Sequence, residues 1–278
     1  MSVKIIIDST TDAIAAVRSR CTVVPQSVLF ADTEYIDGIT IDHVAFYEKL
    51  MESKELPTTS QPTPDAFAKA YAQALEEYDE VVVLTLSSAL SGTYQSATIA
   101  ATEFPGKVIV VDTQSVTVGA GILAEIAVNL ADQGKNATEI AEFILKEREK
   151  VVVFAMVDTL EYLKKGGRIS KTVAFAGELL AVKPLIRIEN GAIQMVGKAR
   201  GIKQANAQLN TLFRDAGEMD QSKPVLLGYT GLSDILVKKY TQESEGLWES
   251  YMDRICPIGC TIGTHVGPGA YAAACILK

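Results

Sequence analysis

The sequence predicts an α/β protein of two domains, an N-terminal parallel sheet of the Rossmann or flavodoxin-like kind and a C-terminal mixed α/β domain. Three observations predict this fold. The 278 residues are about the length at which a single hydrophobic core gives way to two. Apolar β-branched runs alternate with helical patterns up to residue 158, as in βαβ units. An Asn-Gly pair at residues 190–191 then indicates an antiparallel hairpin, which belongs to a different kind of sheet.

The N-terminal third begins with a strand and contains two clear helix starts. Residues 3–7 are an apolar β-branched run typical of a buried parallel strand, and the segment DSTTD at 8–12 offers caps for a following helix. Asp42 is expected to cap an amphipathic helix to about Met51. Residues 56–64 contain three prolines and are expected to form a stiff loop without regular structure, which leads into a helix at Asp65.

From residue 81 the alternation of strand and helix becomes regular. Asn136, followed by Glu139, predicts a capping box for a helix to Lys150. We therefore expect one domain over residues 1–158 and a second over 159–278. The expected elements of this stretch are strands at 81–86, 107–112 and 151–157, and helices at 95–102, from 118, and at 137–150.

The second domain is expected to mix hairpin and helices. A helical segment ends at Gly166-Gly167, and a second helix is expected to end before Lys183. The other expected elements are the hairpin strands around residues 190–191, helices at 201–215 and 232–244, and strands at 224–229, 256–262 and 271–277.

Composition excludes several functional classes. A hydrophobic share of 48% and 22% charged residues describe a compact globule rather than a disordered chain. The net charge of −8 disfavours nucleic acid as a partner and allows at most transient contact with an anionic membrane. We expect a cytoplasmic protein, because the N-terminus lacks the pattern of a secretory signal and four cysteines are too few to stabilise a chain of this length by disulfide bonds.

Motifs for common cofactors are missing or poorly placed. Neither a P-loop nor an HExxH motif occurs. The segment GAGILA at 119–124 matches the spacing of a dinucleotide fingerprint, but that turn must directly follow a strand, and here DTQSVTV intervenes after KVIVV. Close packing of small helical residues explains the segment better. Cys256, Cys260 and His265 could offer zinc ligands, but their spacing is irregular and a fourth ligand is missing, so buried thiols are expected and no metal.

The informative segment is the hydroxyl-rich turn at residues 86–96. It lies where a parallel strand passes into a helix, the edge at which α/β sheets bind ligands. Glycine, serine and threonine with free helical N–H groups form a socket for an anion, although the same hydroxyls could merely cap the helix. Two further segments, TTSQP at 58–62 and GTHVGPG at 263–269, add hydroxyls and His265, a set that suits a carboxylate better than a phosphate. The other histidine, His43, is expected to be exposed and idle.

Taken together, five segments resemble the DegV family, whose members include the FakB subunits of bacterial fatty acid kinase. The segments occur in order along the whole chain, and their joint occurrence is specific. They are DSTTD at 8–12, TSQP at 59–62, SALSGTYQSA at 88–97, LEYLKKGGRI at 160–169 and HVGPGA at 265–270.

The resemblance implies a carrier that holds one long-chain fatty acid, such as palmitate, stearate or oleate, between its two domains. It implies no cofactor and no catalytic residue. A separate fatty acid kinase would phosphorylate the bound acid, and the acyl phosphate would feed phospholipid synthesis. The head group would be bound by residues of the two hydroxyl segments and by the histidine, namely Thr59, Ser60, Ser91, Gly92, Thr93 and His265. Arg168 and Arg200 would lie near the mouth, facing the kinase and its nucleotide phosphates.

Two other functions remain open at this stage. A serine esterase or acyltransferase would use Ser91 as nucleophile and His265 as base, although the GxSxG elbow is absent and no orienting carboxylate can be named. A lipid-sensing regulatory module would share the same pocket with a carrier.

Overall fold

Three β-sheets organise the chain in this computed structural model, which describes residues 2–169 and 182–278. The elements up to residue 150 are β1 (Val3–Asp8), α1 (Ala15–Arg18), β2 (Thr22–Val24), β3 (Ser27–Phe30), β4 (Thr33–Ile36), α2 (His43–Glu52), β5 (Thr58–Ser60), α3 (Pro64–Leu75), β6 (Glu80–Thr85), α4 (Thr93–Ala101), β7 (Val108–Asp112), α5 (Val118–Asp132) and α6 (Ala137–Glu147). The later elements are β8 (Val151–Met156), α7 (Glu161–Lys165), β9 (Val182–Glu189), β10 (Ala192–Arg200), α8 (Ile202–Ala216), β11 (Leu226–Tyr229), α9 (Ile235–Gln242), β12 (Ile255–Pro257), α10 (Cys260–Val266) and β13 (Tyr271–Ile276).

The first sheet is parallel throughout, with strand order β2-β1-β6-β7. Its central strands are buried on both faces. Val82 and Leu84 face the core shared with α5 and α6, whereas Val81 and Val83 face the core shared with α3 and α4. Because side chains alternate across a strand, a continuous apolar run is what such a doubly covered strand requires.

Helix α5 packs between the first sheet and the strands of the second. Small residues in its first turns make this close approach possible. A Cβ added at Gly121 would lie 2.0 Å from the backbone oxygen of Asp12, and one at Gly119 would lie 2.5 Å from Cγ2 of Val153. The segment 119–124 is therefore a packing surface inside a helix, as its distance from the preceding strand predicted.

A small antiparallel sheet, with order β4-β3-β5, lies beside the first. Its edge strand β5 corrects the expectation that residues 56–64 lack regular structure. Val28 pairs with Thr59, and Leu29 pairs with Thr58. Proline is tolerated beside this strand because an edge strand leaves one row of backbone groups unpaired. The helix start expected near Asp65 is confirmed, with Pro64 in the first turn and Thr63 as the cap.

The second sheet is mixed, with strand order β10-β9-β8-β13-β11-β12. The expected hairpin is confirmed: β9 and β10 pair antiparallel, and Asn190 and Gly191 between them both have positive φ. Strand β8 pairs with β9 and β13, so it belongs to this sheet. If the chain is divided where the strands of the second sheet begin, the boundary falls before Val151. The predicted domain boundary at residue 158 stays a prediction. The α/β class, with a parallel sheet followed by a mixed one, is confirmed.

Two local expectations were wrong. The DSTTD segment does not cap α1, which begins after Ile14 without a side-chain cap. Residues 260–262, expected in a strand, form the first turn of α10, because a short apolar run is compatible with either structure and Gly259 begins the helix. The helix expected before Lys183 lies outside the described residues. Within the described ranges, no helix combines the length and apolar character needed to cross a bilayer.

Candidate functional site

An apolar pocket lies between the parallel sheet and the mixed sheet, with about 810 Å³ of empty space including the part open to solvent. Its walls come from both halves of the chain. Representative apolar lining residues are Leu86, Val116, Val153, Ile186, Ile193 and Ile262. Apolar atoms make up most of the lining, and the pocket is thus suited to an apolar ligand that carries one polar end.

Thr59 and His265 meet at the polar end of this pocket. Thr59 lies on the edge strand β5 and His265 in the last turn of α10, 206 residues apart in sequence, and Thr59 Oγ1 lies 2.8 Å from His265 Nε2. The ring fits there because position 166 is glycine: a Cβ at Gly166 would lie 2.3 Å from Nδ1. Both side chains line the pocket.

Burial keeps the His265 imidazole neutral at neutral pH. Loss of hydration, with a smaller contribution from the charge of Arg168, lowers its pKa from 6.5 to about 4. A neutral ring carries one proton, and Nδ1 is buried with no hydrogen-bond partner among the described residues. A proton on Nε2, donated to Thr59, avoids a buried unpaired N–H. This tautomer leaves the Thr59 hydroxyl proton free to point at a ligand.

The Ser91 hydroxyl is a second donor at the pocket, and its contacts with Thr93 orient it. The Ser91 and Thr93 hydroxyl oxygens lie 2.9 Å apart, and the Thr93 backbone N–H donates to Ser91 Oγ at 3.4 Å. Gln26 Nε2 donates to Thr93 Oγ1, also at 3.4 Å. If Thr93 accepts from Gln26 and donates to Ser91, the Ser91 proton remains for the ligand. Neutral hydroxyl donors of this kind stabilise a carboxylate without a buried opposite charge.

Contacts of Gln61 and Arg168 bring the serine turn to the same end as Thr59 and His265. Gln61, two residues after Thr59, packs against Gly92, where a Cβ would lie 2.3 Å from its side-chain oxygen. The Gln61 amide also donates to Ser96 Oγ at 3.0 Å. Arg168 donates through Nε to the backbone oxygen of Leu90 at 3.4 Å and through Nη1 to that of Gly166 at 2.5 Å. The three segments therefore converge on one site.

The remaining expected site residues lie in different positions. Thr93 is fully buried and supports Ser91 from behind, and Gly92 starts α4 beside it. Ser60 is exposed on β5 and does not line the pocket. Arg168 lines both the pocket and an adjoining cleft that also contains Lys198. Arg200 is exposed at the end of β10 and lines neither of these two cavities.

Several polar pocket residues, among them Thr10 and Gln26, were not identified from sequence. Gln26 is 3% exposed and follows β2 in a stretch without any motif, so nothing in the sequence marked it. Thr10 belongs to DSTTD, whose role is different from the expected cap. Asp8 accepts from the Thr10 backbone N–H at 2.9 Å and from the Leu86 N–H at 2.7 Å, and burial raises its pKa. The segment thus shapes the pocket floor.

His43 is not idle, contrary to expectation. It is half-buried, with Nδ1 3.0 Å from the Ile258 backbone oxygen and Nε2 2.8 Å from that of Gly231. The ring joins α2 to loops of the mixed sheet. No three side chains of the metal-ligating types converge anywhere in the described ranges. Cys256 and Cys260 are buried free thiols, and burial raises the pKa of each.

Comparisons with known proteins agree along the whole chain. The profile of a family described as "Uncharacterised protein, DegV family" matches residues 2–278. A DegV domain-containing protein of Deinococcus radiodurans is 36% identical, over 99% of this chain and 98% of the relative.

Two solved structures share the fold. One, on fatty acid binding by a DegV family protein from Thermus thermophilus, is 34% identical, covers 100% of both chains and has a TM-score of 0.88. Another, a stearic acid-binding protein from Eubacterium ventriosum, is 26% identical, covers 99% of this chain and 98% of that chain, and has a TM-score of 0.87.

Proposed function

This chain belongs to the DegV family, and from that membership and the pocket we propose that it binds one long-chain fatty acid such as palmitate, stearate or oleate. The carboxylate lies against Thr59, Ser91 and His265, and the acyl chain runs along the apolar walls. The observation that carries this proposal is the cluster of neutral polar side chains at one end of a cavity whose lining is mostly apolar. The fatty acid ligands of related structures support it.

Apolar transfer supplies most of the affinity in this proposal. Burying the chain of a C16 acid at about 0.8 kcal/mol per CH₂ gives a gross gain on the order of 11 kcal/mol. Ordering of the ligand and of the lining side chains offsets part of that gain. The hydroxyl donors add orientation, because they hold the carboxylate at one end and so fix the position of the chain.

Native mass spectrometry of the freshly purified protein tests ligand binding. We expect a mass increment of one acyl chain, since a lipid held in an enclosed pocket survives purification. Titration with oleate and with oleyl alcohol then tests the head-group assignment. The double variant Ser91→Ala with His265→Ala should weaken oleate binding by about 100-fold, because one hydrogen bond to the charged group is lost, worth about 1.5–3 kcal/mol, and the Thr59 hydroxyl also loses the partner that orients it. An unchanged preference for the acid would contradict the assignment.

We further propose that the chain is a carrier subunit and makes or breaks no bond itself. It presents the carboxylate to a separate fatty acid kinase, which transfers phosphate from ATP to form the acyl phosphate used in phospholipid synthesis. Arg168 lies between the pocket and the cleft that contains Lys198. This position supports the proposal that its positive charge faces the phosphates of the kinase-bound nucleotide. The exposed Arg200 is the second proposed contact.

A reconstitution experiment tests the carrier role. The protein, oleate, ATP and a fatty acid kinase catalytic subunit should yield acyl phosphate, whereas Arg168→Ala should lower the yield more than it lowers oleate affinity. No product with any cognate kinase would favour the lipid-sensing module instead.

The contacts at the pocket speak against a serine hydrolase. The polar partner of Ser91 Oγ is Thr93, whereas His265 Nε2 contacts Thr59. Within the described residues, His265 Nδ1 has no carboxylate to orient it. A fluorophosphonate probe should therefore leave Ser91 unlabelled, and labelling of Ser91 would revive the esterase or acyltransferase alternative.

A further inference from the structure

Two buried carboxylates hold the N-terminus of α10, the helix that carries His265. Asp12 Oδ1 accepts from the Gly259 N–H at 2.9 Å. Asp37 Oδ2 accepts from the Thr261 N–H at 3.0 Å and from the Thr261 hydroxyl at 2.7 Å. Asp12 is 4% exposed and Asp37 is 5% exposed. Buried carboxylates are retained only where donors compensate the lost hydration, and the first N–H groups of a helix are such donors.

Asp37 differs from Asp12 in the element to which it is attached. It directly follows β4, in the small sheet that also contains Thr59 on β5. Ser27 of β3 pairs with Ile36 on one side and with Ser60 on the other, so the residues next to Asp37 and to Thr59 are held by the same central strand. Asp12 instead follows β1 of the parallel sheet and has no such link to Thr59.

Helix α10 is therefore fastened to the small sheet at both ends. Asp37 binds its first turn, and Thr59 contacts His265 in its last turn. His265 lies four positions after Thr261, which corresponds to a rise of about 6 Å along a helix. A shift of the first turn along or around the helix axis is passed to the imidazole, because a hydrogen-bonded helix moves as one body over so short a length.

We propose that Asp37 is a positioning residue for the carboxylate site. By anchoring α10 to the sheet that carries Thr59, it sets the distance between His265 and the Thr59 hydroxyl. This inference rests on the proposed function, since it assigns Asp37 a role in binding the fatty acid head group. Asp37 does not line the pocket and acts only through α10.

A double-mutant cycle in oleate affinity tests the proposal. Asp37→Asn replaces the carboxylate with an amide, whose N–H₂ cannot accept from the helix donors and whose oxygen is a weaker acceptor. Oleate binding should weaken about tenfold, which is the size expected when charge-assisted hydrogen bonds are impaired. In the His265→Ala background the same change should cost less than about twofold, because the group that Asp37 positions is gone. Equal losses in both backgrounds would overturn the positioning role. Absence of oleate binding by the wild type would instead overturn the proposed function.

Nitrogen NMR of His265 gives a readout that a general loss of stability does not move. Asp37→Asn should shift the Nε2 resonance as the contact with Thr59 changes. The control is Asp8→Asn, which removes an equally buried carboxylate that accepts from Thr10 and Leu86 but touches no part of α10. It should lower the free energy of unfolding and leave the Nε2 resonance in place. An unmoved resonance in Asp37→Asn, or equal shifts in both variants, contradicts the proposal.

A milder variant covers the case in which Asp37→Asn does not fold. Thr261→Val removes the hydroxyl donor to Asp37 and leaves the backbone donor of that residue in place. The Nε2 resonance of His265 should move in the same direction by a smaller amount. The resonance is the readout for this variant, because Thr261 itself lines the pocket and its substitution could change oleate affinity directly. An unmoved resonance would count against Asp37 as the anchor.

Discussion

Gly166→Ala tests whether the fit of His265 against the backbone of residue 166 is needed for ligand binding. The backbone at Gly166 has φ −72° and ψ −11°, which alanine adopts without strain. The added methyl group would lie 2.3 Å from His265 Nδ1 and 3.1 Å from Cε1. The first distance is more than about 1 Å inside ordinary van der Waals contact, so the ring must move. Its 2.8 Å contact with Thr59 is then lost or lengthened.

Two effects on stability oppose each other in this variant. Replacing glycine by alanine at a compatible position stabilises the fold by about 0.4–1 kcal/mol through the unfolded chain. Overpacking against a buried ring costs about 1–3 kcal/mol. The second effect is larger, so we expect net destabilisation of about 1–2 kcal/mol in urea unfolding. Oleate affinity should fall about tenfold, because the Thr59 hydroxyl loses the partner that orients it.

Calorimetric titration with oleate and with oleyl alcohol measures this effect. Affinity for the acid should fall, while affinity for the alcohol should change by less than about threefold, because the acyl contacts are untouched. The matched control is Gly166→Ala in the His265→Ala background. There the methyl group no longer meets the imidazole, only the Tyr162 backbone oxygen lies close to it, at 3.1 Å, and oleate affinity should stay unchanged. Equal effects of Gly166→Ala in both backgrounds would show that the clash with the imidazole is irrelevant to binding.

Three further outcomes are expected. Because unfolding restores the pKa of His265 from about 4 to 6.5, the unfolded chain takes up a proton first as pH falls. Wild-type stability should therefore drop by about 3 kcal/mol relative to His265→Gln between pH 7 and pH 4, and parallel urea-unfolding profiles would contradict this. Gln26→Met, which removes the amide donor to Thr93, should lower oleate affinity about threefold. An unchanged oleate affinity would show that Gln26 does not help to orient the Thr93 and Ser91 hydroxyls. Ala155→Leu narrows the apolar wall and should weaken stearate more than a shorter acid, and equal losses for both would place the chain elsewhere.

Local pattern predicted most helices and parallel strands correctly. The capping box at Asn136 and Glu139 is present, and the hairpin turn at Asn190-Gly191 has the positive φ angles that its residues favour. Such features depend on residues a few positions apart, so they can be inferred from the sequence alone. Strand β5 and helix α10 were misjudged because pairing with β3 and capping by Asp37 come from distant segments.

The candidate site divides in the same way. Residue types in TTSQP, in the turn at 86–96 and in GTHVGPG indicated neutral donors for an anion. Together with DSTTD and LEYLKKGGRI, these segments indicated the DegV family. Tertiary structure alone decided that Thr59 and His265 touch, that Thr93 stands behind Ser91, and that Gln26 completes the donor chain.

Composition and short-range periodicity by themselves determined the α/β class, the order of most elements and the chemical character of the ligand-binding segments. They could not determine which hydroxyl faces the pocket, because the core and the pocket lining are built from the same apolar residues. In addition, a one-residue shift turns a strand's side chain to the opposite face of the sheet. That choice depends on contacts between distant segments, such as Asp37 with Thr261, which are 224 residues apart, and such contacts form only when the whole chain has folded.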